Sequence, residues 1–242
     1  MYKAFSGFLV LLFSGCVAIA EPLNDQPFGM VAFKAPEGPL WNAWRRIRSE
    51  IRAQLPRQEQ CLADLGHCNA VERLLRNVVK EAQAKRGRAK IETANVRINA
   101  AIRYTSDEKQ WNLADAWSAP LTVDQEGSLK TGLGDCEDFS IAKYVVLRLA
   151  GIAPAKLRVV LVHDNEVRLD HAVLAARDGE RWFILDNRWN TLFEARDLEE
   201  RFKPLYAIDA DGVTVLAKQF RLNDQKANRR VNAKGRPLSR AR

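Results

Sequence analysis

Residues 170–186 read DHAVLAARDGERWFILD, two apolar runs separated by Asp178-Gly179. Asp-Gly is a preferred two-residue hairpin loop, so the stretch predicts antiparallel strands over 170–176 and 181–186. Pairing centred on that loop places His171 directly opposite Asp186. Cβ atoms of opposed residues lie about 4.5–5.5 Å apart, which allows a hydrogen bond between the imidazole and the carboxylate. The alternative is a structural role, in which His171 is a polar residue at a strand end and Asp186 caps a turn.

A thiol lies in the segment Gly134-Asp135-Cys136-Glu137-Asp138, just before an apolar run that predicts a helix from Asp138 to Gly151. A cysteine at a helix N-terminus has its pKa lowered by the unpaired backbone N–H groups and the helix dipole. The three side chains therefore predict a thiol site, with Cys136 as nucleophile, His171 as general base and Asp186 as the group that orients the imidazole.

Three acidic residues surround this thiol, and their charges oppose thiolate formation. Asp135 and Asp138 could form a capping box at the start of the helix. Carboxylate oxygens of Asp135, Glu137 and Asp115 would also suit a calcium ion, and the two interpretations remain open.

Residues 105–134 are rich in turn-forming residues and predict a long ordered loop that leads to Cys136. An oxyanion formed during acyl transfer needs hydrogen-bond donors. The backbone N–H of Cys136 and the indole of Trp117 are the candidates.

The rest of the chain predicts an α+β fold in which helices precede an antiparallel sheet. Apolar residues at helical spacing predict a first helix through Trp44, Ile47, Ile51 and Leu55 that Pro56 stops. Further elements are two helices over 71–82 and 91–102, and strands over 157–162, 205–208 and 213–217.

Composition fits one exported globular domain. Lys3, the apolar run at 8–13 and Ala18-Ile19-Ala20 predict a signal peptide over 1–20 and a periplasmic protein. The stretch ending at Cys16 also resembles a lipoprotein site, so lipid anchoring is the alternative. No later segment is long and apolar enough to cross a bilayer.

The net charge of +8 is concentrated at the C-terminus. Residues 222–242 hold seven basic residues against one acidic residue, Asp224, and predict a disordered tail. The remaining domain, 21–221, is nearly neutral, which argues against a nucleic-acid partner.

Removal of the predicted signal peptide, which contains Cys16, would leave two cysteines besides the candidate nucleophile. In an oxidising compartment Cys61 and Cys68 could form a disulfide and leave Cys136 as the reactive thiol. A continuous helix would hold their Cα atoms about 10.5 Å apart, so the bond requires a turn, and residues 65–66 offer one. Zinc binding by Cys61, His67 and Cys68 is the alternative, although a fourth ligand is missing.

Over roughly residues 90–215 the sequence resembles the bacterial transglutaminase-like cysteine proteinases. The matching residues are Asn99–Tyr104, Asp107, Asp115–Pro120, Gly134–Asp138, Lys143-Tyr144, Leu147, His171–Leu174 and Leu185–Asn187. The chain departs from the family pattern at Ala119, Leu121-Thr122 and Ala172, none of which belongs to the triad.

The resemblance implies a papain-like or transglutaminase-like core with the sheet packed on the nucleophile helix, a Cys136-His171-Asp186 triad, and calcium bound through Asp135 and Glu137. Within the family, a biofilm adhesin is released from the cell surface under the control of an inner-membrane receptor. A protein substrate in the envelope and such a receptor are therefore the expected partners, but the family is broader than that pathway and the adhesin itself is not implied. Amide transfer by the same triad and calcium-dependent binding without turnover remain alternatives.

Overall fold

The structure, a computed structural model, describes residues 26–113, 116–118 and 132–218. The predicted signal peptide, Cys16, Asp115 and the basic tail lie outside these ranges. The helices of the described part are α1 Pro39–Ala63, α2 Ala70–Gln83, α3 Gly87–Ala101, α4 Asp107–Trp111 and α5 Cys136–Leu149. The strands are β1 Met30–Lys34, β2 Arg103–Tyr104, β3 Leu133–Gly134, β4 Leu157–Asp164, β5 Leu169–Asp178, β6 Arg181–Leu185, β7 Phe193–Glu194, β8 Phe202–Ile208 and β9 Val213–Lys218.

The fold is α+β, as predicted. Seven strands form one antiparallel sheet in the order β1-β9-β8-β4-β5-β6-β7, and β2 pairs with β3 in a small parallel ladder. Helix α5 packs on β4 and β5, while α2 and α3 pack behind α5. One apolar core lies between the helices and the sheet, and a second core covers the opposite face. None of the helices in the described ranges is long and apolar enough to span a membrane.

The hairpin forms, but its register differs from the prediction by two residues. Asp178 pairs with Arg181 and Leu174 pairs with Leu185, so the loop is Gly179-Glu180. Gly179 has φ +61°, which suits the first loop position of a type II′ turn, where glycine is favoured. The predicted direct opposition of His171 and Asp186 is therefore wrong. A shift of two residues keeps the same face, and the side chains of His171 and Asp186 still meet.

Helix α1 continues through Pro56, so the predicted stop is wrong. Proline removes one backbone hydrogen bond and costs roughly 3 kcal/mol in a helix interior, yet tertiary contacts can outweigh that cost. Beyond Pro56 the helix buries Gln58 and Cys61, and Cys61 forms a disulfide with Cys68. The turn that this bond needs is present as a 3₁₀ turn at Leu65–His67. Because the two sulfur atoms are bonded to each other, neither is available to bind zinc, so the zinc alternative is wrong.

Strand β1 was not expected from sequence, because residues 21–39 read as a polar lead with prolines. Met30 to Lys34 pair with β9 and form the edge of the sheet. Met30, Val31 and Ala32 are buried, so the strand extends the sheet and its core beyond β9.

Candidate active site

Cys136 is the first residue of α5. Just before it, β3 lies in close contact with the first turn of this helix. A Cβ atom on Gly134 would lie only 2.6 Å from the Cβ of Asp138. Only glycine allows β3 to approach the first helical turn this closely. The contact fixes where the helix starts, and Sγ of Cys136 lies 3.3 Å from Oε2 of Glu137.

His171 and Asp186 form the predicted hydrogen bond. Nε2 of His171 lies 3.0 Å from Oδ2 of Asp186, and only 9% and 2% of the two side chains are exposed. Because the carboxylate binds Nε2, Nδ1 is the ring nitrogen available to a neighbouring thiol. Asp186 also accepts the backbone N–H of Arg188 at 2.9 Å, so it caps a turn as well.

Cys136 and His171 line one cleft of about 240 Å³, together with Trp117. The two residues come from α5 and β5, which pack against each other. The backbone N–H of Ala172 donates to the Cys136 sulfur. The fold thus brings the predicted thiol, imidazole and carboxylate to one place.

The electrostatic surroundings of the thiol oppose its ionisation. Burial raises the pKa of Cys136, and the Glu137 carboxylate raises it further, whereas the Ala172 N–H lowers it only in part. The surroundings of Asp186 instead favour its ionised form. Burial alone would raise the pKa of Asp186, but hydrogen bonds from His171 and Arg188 outweigh burial and hold that pKa well below its usual range.

The predicted acidic residues Asp135 and Glu137 meet a third carboxylate, that of Asp107. Oxygen atoms of the three side chains all lie within 4.8 Å of one another. Burial and the neighbouring Asp135 raise the pKa of Glu137 to about 9. Asp107 lies at the start of α4, and its only signal in the sequence was its place in the family resemblance.

Asp138 does not form the predicted capping box. Asp135 occupies the N-cap position, but its side chain makes no cap hydrogen bond. Oδ1 of Asp138 instead accepts the backbone N–H of Ser118 at 2.8 Å, which ties the segment carrying Trp117 to α5. Burial raises the pKa of Asp138 to about 7.

Sequence reasoning missed two supports of Asp186. Nδ2 of Asn99 on α3 donates to the carbonyl oxygens of Asp186 and Trp189, each at 3.0 Å. Arg188 donates from its guanidinium to the Asp186 carboxylate, with Nη2 2.8 Å from Oδ2. Asn99 belonged to the family resemblance, whereas nothing local in the sequence marked Arg188.

A cleft that brings together a cysteine at a helix N-terminus and a histidine bound to a carboxylate is the arrangement of cysteine hydrolases. The model of one family, the bacterial transglutaminase-like cysteine proteinases, matches residues 54–204. The chain belongs to this family and is a cysteine protease.

Solved structures support the fold. Calcium-bound LapG from Legionella pneumophila is similar, with a TM-score of 0.51 and 20% identity over 78% of this chain and 98% of that chain. EGTA-treated LapG from the same organism has a TM-score of 0.52 and 22% identity, and the match covers 78% of this chain and 90% of that chain. A further LapG structure from this organism has a TM-score of 0.51 and 22% identity, and the match covers 82% of this chain and 97% of that chain. No curated protein matches the sequence.

Proposed function

We propose that the chain is an exported, calcium-dependent cysteine endopeptidase that uses Cys136, His171 and Asp186. The single observation that carries this proposal is the cleft shared by Cys136 and His171, with His171 bound to buried Asp186 at 3.0 Å. The predicted signal peptide over 1–20 supports a periplasmic location, and a surface adhesin or another envelope protein is the proposed substrate.

Acyl transfer follows from these positions. Nδ1 of His171 takes the thiol proton, and Sγ of Cys136 attacks the scissile carbonyl carbon. The backbone N–H of Cys136 and the indole of Trp117 are the proposed donors to the oxyanion. His171 then gives its proton to the leaving amine, the C–N bond breaks, and the acyl group remains on sulfur. His171 next deprotonates a water molecule that attacks the thioester, which releases the acid and restores the thiol.

The donor set of Asp107, Asp135 and Glu137 fits calcium. Calcium–oxygen distances are about 2.3–2.6 Å, so two ligand oxygens on one ion lie within roughly 5 Å of each other. The three carboxylates meet this condition, since their ligand atoms lie within 4.8 Å. A bound cation would supply positive charge beside carboxylates that otherwise raise the pKa of the Cys136 thiol.

A calorimetric titration with calcium tests this site. Asp107→Asn should weaken calcium binding because it removes one charge from the cluster, and the matched control Asp211→Asn, which alters an exposed turn, should not. Equal affinity in both variants would remove Asp107 from the site.

The cleft continues as an apolar row that suits a polypeptide substrate. Leu161 pairs with Tyr206, Tyr206 with Val215, and Val215 with Phe33, so the four side chains cross the sheet in one line. Leu161 and Tyr206 line the cleft, and Phe33, Tyr206 and Val215 are between 37% and 41% exposed. We expect Tyr206→Ser to raise KM for an apolar peptide while kcat changes little. A lower kcat with an unchanged KM would contradict this role.

The experiment that tests the function incubates the purified protein, with and without calcium, with envelope extracts from a strain that lacks it. A new fragment that the wild type produces and Cys136→Ala does not produce would support hydrolysis. Incorporation of a labelled amine in place of cleavage would favour amide transfer. If iodoacetamide in the presence of calcium alkylates Cys136 no faster than a free thiol at neutral pH, the thiol is not activated and a binding protein is the better conclusion.

A further inference from the structure

We propose that Arg188 is a positioning residue that holds the Asp186 carboxylate in the orientation in which it binds His171. The proposal rests on the proposed Cys136-His171-Asp186 triad. Arg188 is not among the described residues that line the cleft of Cys136 and His171, so it acts on the reaction through Asp186.

Arg188 engages both oxygens of Asp186. Nη2 of Arg188 lies 2.8 Å from Oδ2, and Nε lies 3.1 Å from Oδ1. The backbone N–H of Arg188 also donates to Oδ1 at 2.9 Å. Such a bidentate pair fixes the plane of the carboxylate as well as its position. Oδ2 can therefore accept from Nε2 of His171 without rotating away.

The guanidinium of Arg188 is itself anchored on a buried carboxylate. Nη1 of Arg188 donates to Oδ2 of Asp164 at 2.8 Å, and the Asp164 side chain is fully buried. Arg201 donates to the same oxygen, from Nη2 at 3.0 Å and Nε at 3.1 Å. The rings of Trp189 and Phe202 lie against the Arg188 guanidinium. Cζ of Arg188 is 4.9 Å from the centroid of the Trp189 ring and 5.7 Å from that of Phe202. Asp186, Arg188, Asp164 and Arg201 thus form an alternating chain of charges that runs from the candidate site past the end of β4.

Charged groups from other elements do not replace Arg188. His171 on β5 occupies one side of Asp186, and Lys143 on α5 interacts with Asp186 through its charge only. Burial lowers the pKa of Lys143 to about 7, so its positive charge is only partly present at neutral pH. Among the described residues, Arg188 is therefore the permanently charged cation that forms hydrogen bonds to Asp186.

The test measures the rate at which iodoacetamide alkylates Cys136 in the full-length protein across pH, which needs no known substrate. Arg188→Met should lower this rate about ten- to hundredfold, since a misplacement of about 1 Å can have that effect. Arg188→Lys, which keeps the charge without the bidentate geometry, should recover only part of the rate. Arg181→Met, which removes an exposed arginine of β6, is the matched control and should react as the wild type does.

A second measurement separates positioning from loss of structure. The chain has three histidines, so ring ¹⁵N spectra can be assigned, and Nε2–H of His171 should lose its hydrogen-bonded signature in Arg188→Met. Where Arg188→Met fails to fold, Asp164→Asn replaces it, because this variant frees the guanidinium without removing it. Unchanged His171 signals, or a rate equal to that of Arg181→Met, would overturn the positioning role.

His171→Ala distinguishes the two proposals. If this variant is alkylated as fast as the wild type, the triad itself fails. If His171→Ala is slow while Arg188→Met reacts as the Arg181→Met control does, the triad stands and only the role of Arg188 is refuted.

Discussion

Gly134→Ala tests whether the contact between β3 and α5 sets the position of the candidate nucleophile. The added Cβ would lie 2.6 Å from Cβ of Asp138 and 2.7 Å from its Oδ2, whereas ordinary contact begins at 3.4 Å. Asp138 cannot swing aside, because it is fully buried and its Oδ1 accepts the Ser118 N–H. Either β3 or the first turn of α5 must then move by the difference between 2.6 and 3.4 Å, about 0.8 Å, and Cys136 lies in that turn.

The expected effects follow from this displacement. Overpacking of this kind costs about 1–3 kcal/mol of unfolding free energy, which urea denaturation measures through the midpoint and slope. A shift of nearly 1 Å at a reacting group can lower its rate by about a hundredfold. We therefore expect a large fall in the alkylation rate of Cys136 even under conditions where the variant is fully folded.

Gly38→Ala is the matched control. An added Cβ at Gly38 has no neighbour within 4 Å, and its φ of −172° is open to any residue. The control should match the wild type in rate. Its stability should fall by less than about 1 kcal/mol, because Gly38 is the N-cap of α1 and alanine is less favourable than glycine at that position. If Gly134→Ala also matches the wild type in both measurements, the contact does not position the nucleophile and the reasoning is refuted.

Two further predictions concern α1 and α5. Pro56→Ala should raise the free energy of unfolding by about 1–3 kcal/mol, because Pro56 is exposed within a helix and its replacement restores a backbone donor; an unchanged urea midpoint would contradict this. Lys143 is fully buried, and its Nζ has no hydrogen-bond partner among the described residues. Burial lowers the pKa of Lys143 to about 7. Between pH 7 and 10 the lysine is therefore protonated in the unfolded chain and neutral in the folded chain. The free energy of unfolding should then rise by roughly 1 kcal/mol for each pH unit. Lys143→Met should remove this contribution, so its stability advantage over the wild type should shrink from pH 7 to pH 10; a constant difference would show that Lys143 does not titrate in this range.

The contact between His171 and Asp186 could be predicted from sequence because side chains along a strand alternate between the two faces of the sheet. A register shift by an even number of residues leaves every side chain on the same face. The turn moved by one residue, from Asp178-Gly179 to Gly179-Glu180, which shifts the partner of every strand residue by two, and His171 and Asp186 remain on one face. A prediction that required direct pairing failed on the same hairpin. Local patterns therefore fix which face a side chain occupies more firmly than they fix its partner.

Features that depend on distant contacts could not be predicted locally. The continuation of α1 through Pro56 depends on residues beyond it, including Cys61, which is bonded to Cys68. β1 forms because β9 offers an edge, and nothing within residues 21–39 indicates that partner. Asp107 joins Asp135 and Glu137 only when α4 lies beside the start of α5. In each case the deciding partner is remote in sequence.

The acidic residues around Cys136 limit what the helix N-terminus can do for the thiol. A helix terminus stabilises a nearby negative charge by about 0.3–1 kcal/mol, and at most about 2 kcal/mol, while one pKa unit corresponds to about 1.36 kcal/mol. Burial and the Glu137 carboxylate raise the pKa of Cys136 more than that terminus lowers it, since the net direction is upward. The rise can be offset by a proton acceptor at His171 and by a positive charge beside the cluster of Asp107, Asp135 and Glu137. Ionisation of the thiol is therefore tied both to the hydrogen bond between His171 and Asp186 and to the charge state of the carboxylate cluster.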